Sequence, residues 1–128
     1  MQKHNAWLDL ATSDLRLAQK LTKEGEFVGQ AMFLAQQCAE KSLKAYLAYK
    51  REPIRRIHDL VTLVNMCKRI DADFSSILME AADLNPYLCR TRYPDDCYLM
   101  PDLTTLKISV QQAQKIYDFV VNKMYVKK

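Results

Sequence analysis

Turn-forming residues are scarce in this chain. Its 128 residues include only two glycines, Gly25 and Gly29, and four prolines, Pro53, Pro86, Pro94 and Pro101. A sandwich or barrel needs a turn signal at the end of every strand, so this scarcity argues against an all-β fold. The rest of the chain is rich in Ala, Leu, Lys, Gln and Glu, which favour helix. The expected fold is all-α: an up-and-down bundle of four to five helices, with residues 1–128 forming one domain.

Apolar periodicity places the helices. From about Asn5 to Lys23, Trp7, Leu8, Ala11, Leu15, Ala18 and Leu21 form one stripe, with Asn5 as N-cap and Gly25 as the stop. From about Phe27 to Tyr49 a broader stripe includes Ala31, Ala35, Cys38, Ala39 and Ser42, small enough for close helix contact. A third helix starts near Ile54 or Ile57 and ends near Arg69. Asp71 or Asp73 caps a fourth, which carries Phe74, Ile77, Ala81 and Leu84 and is broken at Asn85-Pro86. Pro101-Asp102 opens the last helix, with Asp102 as its N-cap.

The formal net charge of +4 permits an acidic partner without demanding one. No apolar run is long enough to span a bilayer, and the first residues lack a signal peptide's apolar core, so a cytoplasmic protein with no membrane partner is expected. In that compartment Cys38, Cys67, Cys89 and Cys97 are expected as free thiols. His4 and His58 show no zinc-ligand spacing to them, and neither a metal nor another cofactor is expected.

Three constellations could carry chemistry. Gln37, Glu40, Lys41 and Lys44 share one helix face; the pattern reads first as a solvated stripe, and alternatively as a polar strip inside a groove or interface. Around His58, Arg51, Arg55 and Arg56 could hold phosphate while the imidazole moves a proton; the structural alternative is a helix start at His58 or Asp59. The third is Thr91-Arg92-Tyr93-Pro94-Asp95-Asp96-Cys97-Tyr98, a break that Pro94 forces off the helical path. Arg92 suits a bidentate phosphate contact, and Tyr93 or Tyr98 suits base stacking; the structural alternative is a loop in which the Tyr rings plug the bundle, Pro94 rigidifies the chain and Asp95 or Asp96 pairs with an arginine.

Together these segments resemble the HEPN family (higher eukaryotes and prokaryotes nucleotide-binding domain). Trp7, Ala11 and Asp14-Leu15 look like its first helix, and Phe33 with Gln36 through Ala45 is very similar to its second. His58-Asp59-Leu60 with Leu63 matches its third-helix opening, and Tyr87 with Thr91 through Asp95 matches its late loop. The resemblance covers nearly the whole chain. It implies a homodimeric helical bundle and a minimal nucleotidyltransferase partner, often in a toxin–antitoxin pair. Many members are metal-independent ribonucleases with an arginine, four to six residues, then a histidine.

This chain departs from that motif. After Arg92 the corresponding positions hold Cys97, Tyr98 and Leu99, and no histidine follows. Arg51 and His58 satisfy the bare spacing, but Pro53 interrupts them and they lie at the third-helix opening. Losing a positioned acid–base costs roughly 10²–10⁴-fold in rate, so these residues favour binding over cleavage. The expected function is to bind nucleotide or RNA phosphate in a dimer cleft through Arg92. The expected ligand-binding set also includes Tyr93, Asp95, Cys97, Tyr98, Gln37, Glu40, Lys44, Arg51, Arg55 and Arg56. The alternatives are an active ribonuclease toxin using Arg92 and His58, and a non-catalytic helical adaptor.

Overall fold

The computed structural model describes residues 3–54, 56–86 and 101–125. Among these residues the architecture is entirely helical. The elements are α1 (Lys3–Glu24), α2 (Val28–Tyr49), α3 (Leu60–Ile70), a 3-10 helix (Ala72–Ile77), α4 (Leu78–Leu84) and α5 (Leu103–Tyr125). They form an up-and-down all-α bundle.

α1 and α2 make a tight antiparallel pair because the turn between them is only three residues long. Gly25 sits in the left-handed region at φ 71°. There its N–H reaches the Thr22 carbonyl at 3.1 Å and the Glu26 N–H reaches Leu21 at 3.2 Å, closing the last turn of α1. An added Cβ would meet nothing nearer than Leu103 at 3.9 Å, so the backbone, not space, requires glycine here.

α2 is the central helix. It packs most extensively on α1, then on α5, and also touches α3. This explains why Ala31, Ala35, Cys38, Ala39, Ser42, Leu43 and Ala45 are all fully buried. Thr12 to Tyr117 (2.7 Å) and a Tyr125 hydroxyl donating to Asn5 lace α1 to α5. Phe74, on the 3-10 helix, joins Tyr46 of α2 (4.5 Å between rings) to Phe119 of α5 (4.9 Å, edge-on). Lys123 bridges Asp71 at 2.8 Å and Asp73 at 2.6 Å, pinning the same short helix to α5.

Several boundaries differ from expectation. Asn5 does not cap α1; the helix already runs from Lys3, and the Asn5 carboxamide instead accepts from Tyr125. α3 starts at Leu60, later than Ile54 or Ile57, because Asp59 is its N-cap. The fourth segment opens as a 3-10 helix capped by Asp71, whose carboxylate takes the Asp73 N–H at 3.0 Å. Asp102 caps α5 as expected, accepting from the Thr105 N–H at 2.7 Å. No helix among the described residues is long and apolar enough to cross a membrane.

Candidate functional site

The polar residues of α2 are not a solvated stripe. Glu40 and Lys44 are each only 4% exposed, and Gln36 is fully buried. With neighbours on nearly every side, α2 has almost no face left for water. The i,i+4 spacing brings Lys44 Nζ to within 3.1 Å of Glu40 Oε2. The Lys44 ammonium also lies 5.4 Å from the centre of the Trp7 ring on α1. The stripe's flanking members are partly buried. Lys41 pairs with Asp14 at 2.6 Å, and Gln37 donates to the Gln36 Oε1 at 2.7 Å. Gln36 Nε2 has no partner among the described residues.

His58 completes the cluster. Its Nδ1 lies 3.2 Å from Glu40 Oε1 and 3.1 Å from Oε2. A carboxylate offers only acceptors, so Nδ1 carries the proton and donates. The His58 side chain is 58% exposed while that of Glu40 is 5% exposed. The imidazole is therefore anchored from inside, and Nε2 has no hydrogen bond among the described residues. Sequence spacing alone could not pair Glu40 with His58.

The next residue fixes where this site sits. Asp59 Oδ2 accepts the Thr62 hydroxyl at 2.8 Å, and Oδ1 accepts the Val61 N–H at 3.1 Å and the Asn85 amide at 2.6 Å. The Thr62 hydroxyl is the main cause holding the Asp59 carboxyl below its ordinary range; desolvation opposes it, and Asn85 and backbone N–H groups add to it. Asn85 in turn accepts the Leu60 N–H at 2.8 Å. The end of α4 is thus clamped to the residue after His58.

The start of the His58 connection is equally defined. Two residues past the end of α2, Arg51 sits in the left-handed region at φ 60°. Its N–H donates to Ala48 at 3.0 Å and the Glu52 N–H to Leu47 at 2.9 Å, the same pairing that Gly25 makes after α1. Arg51 therefore occupies a backbone position that normally favours glycine. A cavity of about 750 Å³ opens beside it, lined in part by Lys3, Trp7 and Leu10 of α1 and by Pro53 and Ile54.

Of the residues singled out in the sequence, Glu40, Lys44 and His58 converge. Gln37 lies one turn away on α2, Arg51 lines the cavity, and Arg56 is exposed. Arg55, Arg92, Tyr93, Asp95, Asp96, Cys97 and Tyr98 lie outside the described residues. In the sequence Trp7 and Asn85 read only as stripe and break; their roles here depend on long-range packing.

An all-α bundle holding a buried acid–base pair in its central helix, with a histidine anchored on that pair, defines a helical-domain class with a polar site built into its core. A family model of the HEPN domain matches residues 4–124, and the chain belongs to that family. It is similar to TT1696 from Thermus thermophilus, at 27% identity and a TM-score of 0.77, covering 96% of this chain and 99% of that one. It also shares its fold with ST0689, an archaeal HEPN homologue, at 24% identity and a TM-score of 0.77, covering 97% and 99% of the two chains. No curated protein matches the chain.

Proposed function

We propose that this HEPN chain binds a nucleotide or RNA phosphate as a homodimer, with Arg92 as the phosphate ligand and His58 as a further member of the site. The observation that carries this reading is His58, its side chain more than half exposed, held through Nδ1 by the buried Glu40 carboxylate. Burying two opposite charges has a desolvation cost, and a stable core of this size could be built without it. The Asn85 clamp supports the reading, because it ties the chain seven residues before Arg92 to the neighbour of His58.

Binding of labelled RNA and of nucleotide, without added metal, tests this. Arg92→Ala should weaken binding by about tenfold or more, the loss expected for a charge-assisted phosphate contact. Unchanged affinity in that variant would remove Arg92 from the site. Light scattering of the purified chain checks the homodimer, and co-purification with a co-expressed minimal nucleotidyltransferase checks the toxin–antitoxin-type partnership expected from the family.

One observation favours a second reading, a metal-independent ribonuclease using Arg92 and His58. An imidazole whose Nδ1 is fixed on a carboxylate is arranged to take or give a proton at Nε2. Cleavage lost in both Arg92→Ala and His58→Ala would establish it; nucleotide binding without any cleavage would rule it out.

A further inference from the structure

We infer that the cavity between α1 and the end of α2 is a binding site for a planar aromatic anion, distinct from the Glu40–His58 site. Its volume of about 750 Å³ is within the ~300–1,000 Å³ typical of small-molecule sites. The walls are apolar: Trp7, Leu10, Pro53 and Ile54. Leu10 is 50% exposed, and the large apolar side chain is left facing the opening.

Two cations, Lys3 and Arg51, line the same space against one acid, Glu52. Neither Lys3 nor Arg51 makes an ion pair among the described residues. Arg51 is also the residue held at φ 60°, where a non-glycine residue is strained. Strained backbone of this kind clusters at ligand sites, and here it places a guanidinium at the cavity wall. A flat ring against Trp7 and the aliphatic walls, with its anion on Arg51 and Lys3, satisfies both halves of the lining. Two sources share that chemistry: a nucleoside monophosphate and a free aromatic carboxylate.

The chain's single tryptophan, Trp7, lines the cavity, so its fluorescence reports on occupancy there; the Lys44 ammonium also lies 5.4 Å from the centre of that ring, and the cavity variants below separate the two sources of signal. The full chain is titrated with AMP and with benzoate, against adenosine and inorganic phosphate as ring-only and anion-only controls. Saturable quenching is expected from AMP, from benzoate or from both, with the controls weaker by about tenfold or more. Preference for AMP identifies the nucleotide source, and preference for benzoate the carboxylate source. Arg51→Ala and Leu10→Glu should each weaken binding by about tenfold. Arg51→Gly removes the cation while suiting the left-handed backbone, so its loss of binding cannot be attributed to misfolding. Absence of saturable quenching, phosphate binding as tightly as AMP, or full binding in both Arg51→Gly and Leu10→Glu would overturn the assignment. The same titration on Arg92→Ala separates this inference from the phosphate-binding reading. Quenching retained there supports the cavity; quenching lost there places the ligand at Arg92 and overturns it.

Discussion

Lys44→Met is the most telling perturbation of the buried pair. At 3.1 Å and an effective dielectric of about 20, the gross attraction between Lys44 and Glu40 is roughly 5 kcal/mol. Desolvating the two ions costs several kcal/mol each, so the intact pair nearly breaks even. Removing one partner is different, because Glu40 keeps its desolvation cost and retains only His58. The expected loss is about 3 kcal/mol, at the low end for broken buried pairs because the exposed imidazole remains as a donor. For a chain of this size that lowers Tm by roughly 10–15 °C. Adding Glu40→Leu should restore stability to within about 1 kcal/mol of the parent, since an apolar pair of similar volume needs no counter-charge. The double variant loses the His58 anchor, so stability should return while RNA or nucleotide binding does not. Urea unfolding of the parent, both single variants and the double variant gives the coupling energy directly. A Lys44→Met cost below about 1 kcal/mol, or a double variant as unstable as the sum of the singles, would refute the claim that this pair is desolvated and mutually dependent.

Three further outcomes are expected. Arg51→Gly should raise stability by about 0.5–1 kcal/mol, because the left-handed cost for a side chain exceeds glycine's entropic cost; a lower Tm would show that the Arg51 side chain contributes packing. Asp59→Asn keeps an N-cap but gives up the charge-assisted bonds to Thr62 and Asn85, so it should cost up to about 1 kcal/mol at neutral pH. Because the Asp59 carboxyl is held below its ordinary value of 3.8, its contribution is present above that pH and is lost as pH falls through the lowered value. The stability gap between parent and Asp59→Asn should therefore close in acid; a constant gap from about pH 7 to about pH 2.5 would contradict the assignment. Burial pushes the thiols of Cys38 and Cys67 up to about 12. Both should resist iodoacetamide at about pH 8 in the folded chain and react fully in guanidinium, with peptide mass spectrometry locating the label.

The helices were legible in the sequence because their apolar stripes and stop signals are local. Gly25 and Asp102 do what their residue types and positions indicate, whereas Asp59 caps α3 instead of sitting inside its first turn. Asn5 misleads because a good N-cap residue is overridden: the helix extends to Lys3, and the carboxamide is used by Tyr125 from the far end of the chain. The site was legible by composition but not by geometry. Glu40, Lys44 and His58 all stand out by residue type, yet the face carrying the first two reads as solvated when only its own residues are considered. The sign of burial lay in the residues around them. Cys38, Ala39, Ser42, Leu43, Ala45 and Leu47 leave the helix apolar on nearly every side, which is the mark of a central helix. The Glu40–His58 contact spans 18 residues and depends on how α3 docks, so no local pattern encodes it.

The connection from Arg51 to His58 is one short length of chain that serves two places at once. One end is set by the backbone hydrogen bonds that terminate α2, and the other by the Asp59 cap and the Glu40 carboxylate. Arg51, Glu52, Pro53 and Ile54, which line the cavity, are covalently continuous with the imidazole. If an occupant shifts the free energy of a ligand at His58, that second ligand must shift the occupant's affinity by the same factor. Two binding curves, each measured with and without the other ligand, would then close a thermodynamic cycle through eight residues of backbone.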